Sequence, residues 1–399
     1  MSIIEDYKRG GIKEILEITY KYRINKYMNF LMKPFLHKIP IKKVIVIESH
    51  NDFDSNGGAL YEYMLEKGIN NTYRIVWALK NKKKRKLPHN VDYFYLDKPS
   101  IKRIIYTNIA CVFSADNTVI EKQRDGQVSI YLTHSSFPMK DVRGVYPDFE
   151  DVDYILAPAK EQWDLIIKQY GLKGNSNKLI SLGFPVHDIM LVKDKSELKK
   201  VTRQEYKKVL LWMPTFRKGG GGNRNDSTKE YPYGVPLIYR NESVHIIDDV
   251  LKKHDILLII KLHPMQNIDQ LIKIETDNIC MLTGEDVKRM NVDNYRLLRC
   301  VDALISDYSS IAMDFLLCDR PIGYVLEDTY EYQHMLPVEN YESYLAGMVI
   351  NDVEDMINFI IEVSKGDDAY KERRKWLKKQ IFEFDDDCSR ERILKAMNI

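Results

Sequence analysis

The sequence predicts an α/β protein made of two Rossmann-like, doubly wound parallel domains facing a central cleft, and three observations carry that prediction. Short apolar runs of strand length alternate with amphipathic stretches of helical period from Lys42 onward. The alternation occurs twice, on either side of a charged stretch at 184–206 that has little apolar periodicity and reads as an interdomain connection. Polar and charged residues gather just past the apolar runs, at the strand ends where open α/β sheets bind ligands.

The first series contains VIVIES (44–49), RIVWAL (74–79), VDYFYL (91–96), ACVFSA (110–115), VSIYLTH (128–134) and YILAPA (154–159) as strands. Helical patterns fall at 56–67 and 160–169. A second series repeats the design, with VLLWMPT (209–215), ILLIIKLHP (256–264), ICMLT (279–283), ALISD (303–307), IGYVL (322–326) and GMVI (347–350). Helices are expected between them at 243–254, 292–300, 309–318 and 352–364. The domains are therefore set at 43–190 and 205–380, after a basic N-terminal segment at 1–42. Past Arg217 the run KGGGGNRNDSTKEYPYG, with four successive glycines and no apolar period, reads as a mobile loop.

Composition narrows the function. A chain of 399 residues with 44% hydrophobic content is long enough for two cores. Sixty Lys and Arg against 58 Asp and Glu give a net charge of +2, so nothing global argues for nucleic acid. Five scattered cysteines without a CxxC pair fit a reducing cytoplasm and no zinc site. No run approaches the roughly 18 apolar residues of a spanning helix, and the first residues are too polar for a secretory signal. Between Lys8 and Lys43, basic residues including Lys21, Arg23, Lys26 and Lys33 interleave with Tyr27, Phe30, Leu31 and Phe35. Such a helix either lies in an anionic membrane surface or packs on the first domain with a solvated basic face.

Chemistry concentrates in ALISDYSSIAMDFLLCDRPIGYVL (303–326), read as strand, polar turn, amphipathic helix and strand. Ser309 or Ser310 is expected to cap a helix whose free N–H groups point at a phosphate, although an ordinary capped helix has the same pattern. Thr215, Arg217 and Lys218 follow one strand, Lys261 and His263 lie at the end of another, and Asp307 opens the polar turn. Arg217 and Lys261 can neutralise phosphate oxygens and His263 can donate to one, which together describes a diphosphate clamp. In the first domain His134 stands at a strand tip, followed by Ser135 and Lys140. It suits a general base for an attacking hydroxyl, or a structural hydrogen bonder. Asn56, beside Gly57 and Gly58, and His187 with Asp188 in LGFPVHD are further polar tips within reach of a ligand.

GFPVHD (183–188), PTFR (214–217), KLHP (261–264) and SDYSSIAMDF (306–315) with RP (320–321), in this order and spacing, resemble the CDP-glycerol glycerophosphotransferase family over roughly residues 40–395. The resemblance implies a GT-B type fold, with an acceptor domain followed by a CDP-donor domain and a closing helix at 381–399. It also implies transfer of glycerol phosphate or ribitol phosphate from CDP-glycerol or CDP-ribitol to a hydroxyl of a lipid-linked acceptor, releasing CMP, in teichoic acid or capsule synthesis. Peripheral attachment to the cytoplasmic face of the bacterial membrane comes with it. Carried over by position, His134 matches the proposed base and His263 the second functional histidine, at the donor diphosphate. Arg217 matches the phosphate-side arginine, and Asp307, Ser309 and Ser310 the donor turn, with Lys261 and Thr215 beside them. Lys140 lies near a downstream lysine of the acceptor side, where Ser135, Asn56 and Asp188 are also expected. Thr133 replaces the usual Trp, Ser135 a Gly or Ala, and GFPVHD lacks the Arg common after its Pro. No acidic cluster of ligand spacing accompanies these residues, so no obligatory metal or other cofactor is expected. A GT-B glycosyltransferase using a nucleotide sugar, and an inactive binding relative of the cell-envelope machinery, are the alternatives.

Overall fold

The computed structural model describes residues 11–13, 16, 19–81, 86–133, 136–172, 174, 176–192, 194–217, 227, 229–328 and 340–399. The first lobe holds helices α1 (Ile24–Leu36), α2 (Ser55–Glu66), α3 (Ile101–Ile109), α4 (Trp163–Tyr170) and α5 (Pro185–Leu191). Its strands are β1 (Val44–Glu48), β2 (Arg74–Leu79), β3 (Val91–Tyr95), β4 (Val112–Ala115), β5 (Val128–Tyr131), β6 (Tyr154–Leu156) and β7 (Leu179–Ile180). They lie in the order β3-β2-β1-β4-β5-β6-β7, all parallel. β1 is buried along its whole length, as its unbroken VIVIE run requires of a strand covered on both faces.

The second lobe contains β8 (Lys208–Trp212), β9 (Ile256–Lys261), β10 (Ile279–Leu282), β11 (Ala303–Ser306), β12 (Ile322–Val325) and β13 (Met348–Ile350). These run parallel in the order β10-β9-β8-β11-β12-β13. Helices α6 (Asn241–His254), α7 (Gly284–Met290), α8 (Asn294–Leu298), α9 (Ile311–Phe315) and α10 (Val353–Lys365) connect them, and α11 (Lys371–Ile381) and α12 (Ser389–Ala396) close the chain. One face of this sheet packs on α6 and α10 through Val244, Ile247, Met356 and Phe359; the other packs on α8, α9 and α11. Strand order reverses between β1 and β4 and again between β8 and β11, so each lobe has one switch-point crevice at its carboxyl edge.

The stretch at 184–206 is not a plain connection. Pro185 starts α5 at a position where its missing N–H costs nothing, and Pro185 through Met190 are buried. This helix escaped the sequence because it is short and carries His187 and Asp188, whose burial makes sense only once their distant partners are known. The expected closing helix begins later, at Ser389. It returns to the first lobe, where Ile393, Leu394 and Met397 enter the core under α2 and α5. α11 also reaches back, with the Ala159 N–H donating to the Ile381 carbonyl at 2.8 Å.

Candidate functional site

At the second switch point the segment after β8 is bound to the end of β11. Asp307 accepts the Thr215 N–H at 2.8 Å, the Thr215 hydroxyl at 2.7 Å and an Arg217 Nη1 bond at 3.0 Å. Arg217 also donates through Nε and Nη2 to Asp328, at 2.5 and 2.9 Å, and through Nη1 to the Thr215 carbonyl. The Tyr308 hydroxyl donates to the same Asp328 at 2.9 Å. Burial alone would raise the Asp328 carboxyl, but hydrogen bonds and charge from Arg217, with the Tyr308 bond, hold it below the usual range. Arg217 is only 2% exposed, and its guanidinium is occupied by two buried carboxylates. Thr215, Asp307 and Arg217 therefore frame the crevice instead of presenting charge to a ligand, which revises the expected phosphate-side arginine. Asp328 was missed by sequence reasoning; an acidic residue directly after the apolar run IGYVL was the available signal.

Beside this brace, His263 is half-buried and its ring lies 5.0 Å from Phe216. Its Nδ1 accepts the Met265 N–H at 3.1 Å, so in the neutral ring Nε2 carries the proton and is a donor. The turn it occupies is tied to the β8 segment, since the Arg217 N–H donates to Gln266 Oε1 at 3.2 Å. Lys261, the last residue of β9, is 4% exposed. Desolvation pushes its ammonium down to about 8, the charge of Asp293 opposing weakly. Its ammonium makes no hydrogen bond or ion pair with another described residue. Ser309 and Ser310 are half-buried at the start of α9. Ser310 occupies the cap position but already has helical φ and ψ of −58° and −20°, and its side chain makes no capping bond. A capping side chain needs an extended backbone at that residue, which is why Ser310 does not form the cap expected of Ser309 or Ser310.

In the first lobe Asn56 is 1% exposed and fully engaged with backbone. Its Nδ2 donates to the carbonyls of Leu132 and Thr133 at 3.2 and 3.1 Å, and its Oδ1 accepts the Val186 N–H at 3.1 Å. Thr133 sits at φ +57°, unusual for a β-branched residue and a sign that its surroundings dictate the conformation. Asn56 therefore braces the β5 tip and does not face an acceptor. Asp188 is likewise spent elsewhere: it accepts the N–H groups of Ser389 and Arg390 at 3.0 and 2.9 Å and Arg390 Nε at 3.0 Å, anchoring α12. Lys140 is half-buried at the end of the loop after β5. His134, Ser135, Lys218 and the glycine run at 219–222 lie outside the described residues.

Among the described residues, no group of three or more His, Cys, Asp or Glu side chains is placed to hold a metal ion, and no helix is long and apolar enough to cross a membrane.

Known proteins resemble this arrangement. The teichoic acid glycerol-phosphate primase of Bacillus subtilis (strain 168) is 28% identical over 232 residues, 57% of this chain and 54% of that protein. The teichoic acid ribitol-phosphate primase of Bacillus spizizenii is 24% identical over 235 residues, 56% of this chain and 55% of that protein. The chain thus spans about half the length of these curated relatives. The solved structure of the wall teichoic acid polymerase TagF superposes with a TM-score of 0.72 at 19% identity, covering 99% of this chain and 97% of that one, which establishes the GT-B type fold. With residues 31–398 matching its family model across both sheets, the chain belongs to the CDP-glycerol:poly(glycerophosphate) glycerophosphotransferase family.

Proposed function

We propose that the protein transfers a polyol phosphate from CDP-glycerol or CDP-ribitol to a hydroxyl of a lipid-linked acceptor, with release of CMP. The observation that carries this reading is the family match over residues 31–398, which takes in both lobes and every motif at the second crevice. Attack by the acceptor oxygen on the β-phosphorus forms one P–O bond as the bond to the bridging oxygen breaks, and the pair leaves with CMP. His134 takes the acceptor proton. His263, with Nδ1 fixed by the Met265 amide, offers Nε2–H to the diphosphate. Lys261 supplies the charge that the brace withholds, and the Ser309 and Ser310 hydroxyls complete the donor side.

The same reading places the protein on the cytoplasmic face of the membrane through α1. That helix docks by one face, where Asn25 bonds the Lys98 carbonyl and the Ser100 N–H, Asn29 bonds Asn108 and Gln123, and Leu36 is buried. The opposite face leaves Tyr27, Phe30, Leu31 and Phe35 from 64% to 77% exposed, flanked by exposed Lys26 and Lys33. A bare apolar stripe edged by cations suits an anionic lipid surface.

Titration calorimetry with CDP-glycerol, CDP-ribitol and UDP-N-acetylglucosamine tests the donor class. One CDP-polyol is expected to bind at least about tenfold tighter than the nucleotide sugar, a difference of about 1.4 kcal/mol; tighter binding of the sugar nucleotide would replace this reading with a glycosyltransferase.

A further inference from the structure

We propose that Asp314 is a positioning residue that couples the two lobes, holding the loop after β5 in the first lobe against the Ser309–Ser310 turn of the second. Asp314 lies on α9, the helix that this turn opens, and is 1% exposed. Three donors from three separate elements converge on its carboxylate. His187 Nε2, on α5, donates to Oδ1 at 2.9 Å. The Ser136 hydroxyl, on the loop after β5, donates to the same oxygen. The Tyr295 hydroxyl, on α8, donates to Oδ2 at 3.3 Å. Two of these donors come from the first lobe.

The surroundings fix each partner. His187 is wedged between Phe184 and Phe382, with ring centroids 5.1 and 5.0 Å away. Burial, and then the charge of Asp314, push the Tyr295 phenol well above its ordinary value, so it stays neutral and donates. Beyond Ser136 the chain is embedded in the second lobe: Phe137 and Met139 belong to the core against α8, α9 and α11, and Phe137 lies 4.9 Å from the Tyr344 ring. On the other side, Asn56 holds the Leu132 and Thr133 carbonyls from within the first lobe. The β5 tip is thus gripped by one lobe at Thr133 and by the other at Ser136.

A buried carboxylate needs its donors, and three donors converging on it from two lobes turn that requirement into a geometric constraint. Asp314 touches no reacting atom. Its effect is on distance: the acceptor-side tip and the donor-side turn are set relative to each other through one side chain, and transfer is sensitive to misplacement of about 1 Å. The sequence carries no such signal, because at helical spacing Asp314 falls on the face opposite the stripe of Ala312, Phe315 and Leu316, where an acid reads as solvent-facing.

The coupling rests on the transfer reading for its kinetic consequence, but its structural half is measured without substrate. In hydrogen–deuterium exchange of the full chain, Ser136→Ala is expected to speed exchange of the 136–140 amides by about tenfold while leaving β11 unchanged. In steady-state assays the same variant is expected to lower kcat by about tenfold to a hundredfold with KM for the CDP-polyol within about twofold. Asp314→Asn, which keeps one carbonyl oxygen for His187 and Ser136, is expected to retain more activity than Asp314→Ala. Combining Ser136→Ala with Asp314→Asn should cost no more than the worse single change. Unchanged exchange at 136–140, a loss confined to KM, or additive losses would overturn the proposal. Wild-type protein inactive on every donor would instead overturn the transfer reading, and the exchange result would still decide the coupling.

Discussion

Asp307 grips Thr215 twice, taking its backbone N–H at 2.8 Å and its hydroxyl at 2.7 Å, and so ties the end of β11 to the segment leaving β8 across the switch point. Arg217 extends the tie to Asp328, closing a buried unit of one cation and two carboxylates. The crevice floor is therefore rigid before any ligand arrives.

Arg217→Met is expected to destabilise the protein by about 3–5 kcal/mol at pH 7, because two buried carboxylates lose their counter-charge. The depressed carboxyl of Asp328 contributes stability above the unfolded carboxylate value of about 4, and this is lost as pH falls through its folded value. The difference between wild type and variant should therefore narrow in acid. Urea denaturation at pH 7 and at pH 3, below the unfolded carboxylate value, measures it, and a difference independent of pH would remove the ionic explanation.

Lys261→Met is expected to have opposite effects on stability and donor binding. Below a pH of about 8 the folded protein carries this buried charge, unpaired among the described residues, so at pH 7 the variant should gain up to roughly 3 kcal/mol. From about 8 to about 10 the unfolded state holds the proton that the folded state has released, so wild-type stability rises with pH while the variant lacks that rise. Thermal melts at pH 7 and pH 9 read the first effect. Calorimetry with the CDP-polyol reads the second, and undiminished affinity would take Lys261 out of the donor site.

At Asn56 the amide serves two carbonyls and one N–H. Asn56→Ala leaves these buried groups without their partner, at a cost of about 2–4 kcal/mol. Asn56→Asp should be at least as harmful at pH 7, since a carboxylate cannot donate, and should recover in acid, where a protonated acid donates once. Denaturation of both variants at the two pH values is the check; equal stability of wild type and Asn56→Ala would contradict the bracing role.

Attachment through α1 predicts that Phe30→Ser with Phe35→Ser weakens binding to every vesicle composition, while Lys26→Gln with Lys33→Gln weakens it only on anionic vesicles, by about 1 kcal/mol per cation. All four side chains are exposed, so fold stability should change little. Vesicle co-sedimentation distinguishes the outcomes, and unchanged pelleting of both variants would discard attachment through this face.

The two sheets were legible in the sequence because parallel strands buried on both faces leave unbroken apolar runs such as VIVIE and ILLIIK, each followed by a polar tip. Tips reveal where polar groups gather, not which way they face. Arg217 and Lys261 look alike as cations after strands, yet one is locked between Asp307 and Asp328 and the other has no ion pair among the described residues. Asn56 and Asp188 looked like ligand-side groups because their partners, Thr133 and Arg390, lie 77 and 202 residues away. The Asp314 junction was invisible for the same reason, with His187 and Ser136 separated from it by 127 and 178 residues.

The most direct measurement is CMP release by the purified protein given CDP-glycerol, CDP-ribitol or a panel of nucleotide sugars, each with and without a lipid-linked polyol-phosphate acceptor. Acceptor-dependent CMP from one CDP-polyol, abolished by His263→Ala, is the expected result. Turnover of a nucleotide sugar alone, or no CMP from either CDP-polyol in the presence of an acceptor that a known family member extends, would contradict polyol-phosphate transfer by this chain.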